Sequence, residues 1–209
     1  MCTGLSALAE LADTIRGIGI AEWITVDHAL QDWVDHPGRR RELYTRLHSM
    51  PADEAACVVA RSKETTTHFA WCLYDRPDDP FSLWLHEYKP SRVWLPGYAN
   101  SVHNHRYHFC TTLLAGSYLH ERFTADLDQT GTVIRSVARV GASRYVVGSG
   151  GHLLSHEFHR IPHAADGTMT FLVKSRMVTP WSVSYDPATG LSQQHIPMTT
   201  RLAQLGGRL

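Results

Sequence analysis

The residues of this chain best suited to chemistry are its histidines. There are fourteen among 209 residues, and eight of them (103, 105, 108, 120, 152, 156, 159 and 163) fall between residues 103 and 163. Core packing does not require such a density. His103 and His105 stand one residue apart. In an extended strand side chains alternate, so both rings point to one face. Two neutral imidazoles side by side can share a metal ion.

The spacing around this pair has a pattern. Gly97, five residues, His103, one residue, His105, three residues, Phe109, six residues and Gly116 follow one another. The series resembles the first cupin motif, G-x5-H-x-H-x3,4-E-x6-G, with Phe109 or Cys110 where the glutamate would stand. A second stretch, from Gly148 through Leu154, Ser155 and His156 to His159 and His163, resembles the second motif at its first glycine and at its histidine. The resemblance implies a mainly β fold, a cupin double-stranded β-helix (a jelly-roll barrel), holding one metal among strand-borne ligands. His103, His105 and His159 are then the ligands. His156, on the opposite face of a regular strand, is the alternative third ligand, and a bulge at Glu157 or Phe158 would exchange the two. Glu157 and His163 share the face of His159 and are candidates to orient a ligand or move a proton.

Three neutral imidazoles leave the charge of a divalent ion uncompensated and coordination positions open. A carboxylate two residues after the first histidine would suit 2-oxoglutarate chemistry, but His105 stands there. The set suits Fe(II) with a substrate that itself ligates the metal, and O2. In this the chain is similar to the cysteine dioxygenase-like branch of the cupins. The features that carry the likeness are Trp94-Leu95-Pro96-Gly97, the H-x-H pair, His159-Arg160-Ile161, and Cys110 near the position of a cysteine that some of those enzymes cross-link to tyrosine.

The resemblance implies a cupin oxygenase that oxidises a small amino-acid-like or sulfur-containing molecule. His163, Tyr107 and His108 are candidates for proton handling, with Tyr118 and Tyr145 as further phenols. Arg61 on an early strand, Lys174 and Arg176 are candidates to hold an anionic substrate group. Zn, Ni or Mn bound by the same histidines would instead serve as a Lewis acid for an isomerase, lyase or rearrangement catalyst. A non-catalytic ligand-binding cupin is the third reading.

Other elements must position these residues. Leucines and isoleucines at three- and four-residue steps predict helices over residues 3–17, 21–35 and 39–50, with Thr3 or Ser6 as the first cap. From Ala56 onward, short β-branched and aromatic runs (CVVARS, THFAWCLY, FSLWLHEY) separated by turn residues predict strands. The expected organisation is a helical cap over 1–52, a barrel over 53–190 and a polar, partly ordered tail over 191–209, all in one structural domain. Twenty basic residues balance twenty acidic ones, so neither nucleic acid nor an anionic membrane is an expected partner. No apolar run is long enough to span a bilayer, and the four scattered cysteines are expected as reduced thiols in a cytoplasmic protein. A homodimer is the expected assembly.

Overall fold

The computed structural model describes residues 6–95 and 100–206. Pro96, Gly97 and Thr3, named above, lie outside the described residues. Among the residues described, four helices come first: α1 (Ser6–Ile18), α2 (Trp23–Asp35), α3 (Arg39–His48) and α4 (Ala52–Arg61). Three stand where their periodicity placed them. The fourth, over Ala52–Arg61, takes in most of CVVARS, where β-branched Val58 and Val59 favour a strand. Pro51 at its start and Asp53 and Glu54 in its first turn outweigh that preference, since a proline pre-sets the first turn and acidic groups suit the positive end of the helix dipole.

Among the described residues twelve strands follow: β1 (Lys63–Glu64), β2 (His68–Asp75), β3 (Phe81–Tyr88), β4 (Val102–His103), β5 (Phe109–Ala115), β6 (Ser117–Leu127), β7 (Ile134–Val146), β8 (Gly150–Leu153), β9 (Phe158–Ala164), β10 (Met169–Ser175), β11 (Ser182–Asp186) and β12 (Leu191–His195). One sheet has the order β1-β2-β3-β10-β5-β8 and the other β12-β11-β4-β9-β6-β7. Within them, β3 to β10 form a jelly roll: the first, eighth, third and sixth of these strands face the second, seventh, fourth and fifth. That is the double-stranded β-helix of the cupins. The stretch expected as a tail adds β12 to the second sheet and ends in α5 (Met198–Gly206).

Gly116 shows why its motif position demands glycine. It turns between β5 and β6 at φ +74°, and a Cβ there would meet Thr168 Oγ1 at 2.3 Å. A side chain would therefore clash as well as strain the backbone.

The outer face of the first sheet carries Phe81, Leu83, Leu85, Phe171, Val173 and Cys110, which pack against Leu8, Leu11, Ile15, Val26, Leu30 and Trp33 of the helices. This is the main core. The Trp33 ring lies 5.3 Å from that of Phe171, and its indole N–H donates to the Ala7 carbonyl at 3.1 Å. Tyr74, which simple alternation would place with His68, Ala70 and Cys72, belongs to this outer core. The cause is a register shift between Cys72 and Tyr74 against β3, because one extra residue moves every later side chain to the other face. Cys72 and Cys110 are buried free thiols, whereas Cys57 is disulfide-bonded, a departure from the expectation of four reduced thiols. Among the described residues no helix is long and apolar enough to cross a membrane.

Candidate metal centre

His103 ends β4 and pairs in register with His159 on β9. Between the two histidines of the first motif, Asn104 points away from them and clamps the chain to β11: its N–H donates to the Val183 carbonyl at 3.2 Å, and its Oδ1 accepts from the Val183 N–H at 2.8 Å. Alternation then turns His103 and His105 inward together. The ring centroids of His103, His105 and His159 lie 4.7–5.1 Å apart, and one ring nitrogen from each falls within 4.8 Å of the others.

The tautomers suit a metal. Nδ1 of His103 faces the Ser101 carbonyl at 2.8 Å and must carry the proton, which makes the unprotonated Nε2 the ligating atom. Nδ1 of His159 faces Nε2 of His120 at 3.0 Å, so His120 can accept that proton and free Nε2 of His159 in the same way. Nε2 of His105 and Nε2 of His159 stand 2.9 Å apart, close to the separation of two nitrogens that each lie ~2.1 Å from one ion at nearly a right angle. Two lone pairs meeting at this distance need a shared proton or a shared cation. Burial lowers the pKa of His103 to about 4 and holds those of His105 and His159 well below the ordinary value. All three are therefore neutral ligands at pH 7. The donor set fits a divalent metal.

These rings border a cavity with about 80 Å³ of water-accessible space, room for several waters or one small molecule. Tyr107, Phe109, Leu153, Leu172, Tyr118 and Tyr145 supply much of its wall. No Asp, Glu, Lys or Arg among the described residues lines it. Burial raises the Tyr107 phenol to about 12, so it is a proton donor rather than a phenolate.

The sequence matches no family model and no curated protein. Solved structures similar to it do exist. They include the DMSP lyase DddQ from Ruegeria pomeroyi DSS-3 (14% identity, TM-score 0.39, covering 63% of this chain and 64% of that one). Ectoine synthase from P. lautus (15%, 0.38, 56% and 70%) and Bacillus subtilis oxalate decarboxylase with its Mn(II) centers (15%, 0.39, 70% and 34%) are others. The chain thus spans 64%, 70% and 34% of the length of these three.

The structure sorts the residues expected from the sequence. His159, not His156, meets the histidine pair, since His156 is exposed in the turn before β9. Tyr107 lines the cavity, its ring 5.1 Å from that of His105. His163 does not: Leu119 pairs with His163 but Glu121 with Arg160, so β9 carries an extra residue around Pro162. This bulge turns Ala164 inward and leaves His163 exposed. His108 has a structural task, its Nδ1 accepting the Ser155 N–H at 2.9 Å.

None of the three cations lines the cavity. Arg61 closes α4 instead of lying on a strand and donates to the carbonyls of Cys57 and Asp75. Arg176 is committed to Asp75, Arg76 and Asp79. Lys174 points into the barrel, but its ammonium sits 3.8 Å from the Trp84 ring centroid and 4.7 Å from that of Tyr107. Burial lowers its pKa to about 8. Glu157 pairs with Arg122 and accepts the Leu154 N–H, so it braces the turn before β9. Cys110 faces the helices in the outer core, which removes it from any cross-link to a cavity tyrosine.

Four other cavity histidines were not singled out by spacing: His120, His152, His68 and His86. The last two could have been found by carrying the period-2 reading through FSLWLHEY, which sets Trp84, His86 and Tyr88 on one face.

Proposed function

We propose that this protein is a metal-dependent cupin enzyme that holds Fe(II) on His103, His105 and His159 and uses O2 to oxidise a small molecule that ligates the metal through an anionic atom. The supporting observation is the convergence of three neutral imidazoles in a cavity bordered by no Asp, Glu, Lys or Arg among the described residues. Fe(II), if bound there, would supply an anchoring charge for the anionic substrate atom and a redox-active centre through which electrons pass from that substrate to O2. The chain's own residues do the rest. His120 keeps His159 in the ligating tautomer. Phe109, Leu153 and Leu172 exclude water, which strengthens every electrostatic interaction within the site. Tyr107, beside His105, holds a proton on its phenol oxygen and is placed to donate it to a group that gains negative charge.

A second reading has Zn, Ni or Mn at the same histidines as a Lewis acid for a lyase, isomerase or rearrangement. One observation favours it: Tyr107, Tyr118, Tyr145 and His152 all border the cavity, a supply of acid–base groups that non-redox chemistry would use. Metal analysis of protein purified without added metal or a chelating tag separates the two, followed by O2 uptake with Fe(II) and a panel of small thiols and amino acids. Stoichiometric iron with substrate-dependent O2 consumption is the expected result. Tightly bound zinc and no O2 uptake with any compound would overturn the oxygenase reading in favour of the second.

A further inference from the structure

Across the cavity from the three histidines, the inner face of the first sheet carries a polar wall that metal binding leaves unused. His68 on β2 and His86 on β3 stack with centroids 4.3 Å apart and 25° between their planes. Both line the cavity. Nδ1 of His68 is held by Thr67 Oγ1 at 2.9 Å, and the ring of Tyr88 tilts against His68 at 5.4 Å. These contacts fix the plane on which His86 rests.

His86 itself has no protein hydrogen bond among the described residues. Its neighbours across the sheet are Ala70, which has no polar side chain, and Thr170, which also lines the cavity. A neutral imidazole has one donor and one acceptor, and the half-buried His86 leaves both to whatever fills the cavity. The space in front of His86 is therefore built for a partner with both a donor and an acceptor. It is not built for a charge. The lysine whose charge reaches His86 is Lys174, four residues beyond Thr170 on β10, and the rings of Trp84 and Tyr107 cover its ammonium.

We propose that His86, braced by His68, selects the ligand of this cavity by hydrogen-bonding the uncharged polar end (a hydroxyl, carbonyl or amide) of a small monoanion whose anionic end is held at the three-histidine metal. The inference rests on the metal reading above and narrows it: a zwitterion or dianion would leave its second charge unpaired against a neutral wall.

The test uses full-length protein loaded with Co(II), whose visible bands report a change in ligation. It is titrated with propionate against 3-hydroxypropionate and with butyrate against 4-hydroxybutyrate, two pairs that differ by a terminal hydroxyl at two reaches. In the wild type, at least one hydroxy acid should bind about fivefold to tenfold tighter than its methyl-ended partner. His86→Phe should abolish the preference and His86→Gln keep part of it. Circular dichroism of both variants confirms folding, and His86→Gln carries the test if His86→Phe does not fold. Equal affinities within both pairs, a preference that survives in the variants, or acids that leave the bands unchanged would each overturn the proposal. Elemental analysis of the same samples distinguishes the two levels: cobalt bound stoichiometrically without a preference refutes the role of His86 alone, whereas no stoichiometric cobalt refutes the metal reading and this proposal with it.

Discussion

The two faces of the first sheet lie one strand thickness apart and have opposite chemistry. Outward, Phe81, Leu83, Phe171 and Val173 are fully buried against the helices. Inward, the alternate residues of the same strands are His86, Tyr88 and Thr170, which border the cavity together with His68 on β2 and Thr111 on β5. A period of two thus separates the residues that hold the fold from those that use it. Substitutions on one face should alter stability and leave ligation alone, and substitutions on the other should do the reverse.

The sharpest break of this comparison is Phe171→Ala. The ring is fully buried and packs on Trp33, so its loss should cost about 3–5 kcal/mol, read by urea denaturation. Metal stoichiometry of the folded fraction should not change. A drop in stoichiometry without a drop in stability would mean that the faces are not separable.

Acid should act on the cavity side, through His68 of the first sheet and His120 of the second. Burial lowers the pKa of His68 and of His120 to about 4 in the folded protein, against about 6.5 in an unfolded chain. Above pH 6.5 both states are neutral there and the groups contribute no pH dependence. Between pH 6.5 and 4 the unfolded chain takes up protons that the folded cavity rejects, so stability falls as pH falls, by about 1.4 kcal/mol per pH unit for each ring. Below 4 this loss levels off. Urea midpoints of the metal-free protein measured from pH 8 to 4 should show the decline, and Phe171→Ala should lower the whole curve without changing its slope. A flat profile between pH 6.5 and 4 would show that the rings are not buried as neutral groups.

His120→Phe sharpens the comparison within the cavity. The imidazole that accepts from His159 Nδ1 is lost while the ring volume is kept, so metal affinity measured against a competing chelator should fall about 10- to 100-fold. Stability of the metal-free protein should hold. Unchanged affinity would mean that His159 needs no partner to ligate.

Much of this arrangement was legible in the sequence because it is local. The pair His103 and His105, the glycine at 116 and the helices α1 to α3 each follow from spacing within one turn or one strand. What was not legible depends on register. Cys110 lies one residue from Phe109, yet one faces the helices and the other the cavity, and motif spacing alone could not decide between them. Tyr74 changed faces at the shift after Cys72. The anionic-substrate reading of Arg61 and Arg176 failed for another reason: their partners, Asp75, Asp79 and the carbonyls near them, are brought close only by tertiary folding. His68 and His86 are eighteen residues apart in sequence and become a pair only through the β2–β3 hairpin.

His163 gives the smallest expected effect and the most direct check on register. In a regular strand it would share the inward face with His159, and the extra residue around Pro162 puts it outside, where it is exposed. His163→Ala should therefore shift stability by no more than about 0.5 kcal/mol and leave both metal affinity and the pH profile as they are. If it lowered metal affinity as His120→Phe is expected to, β9 would have to run without its bulge. Ala164, now packed beside Tyr118 and Leu113, would then turn outward, and the inner wall of the second sheet would have to be redrawn from Arg160 onward.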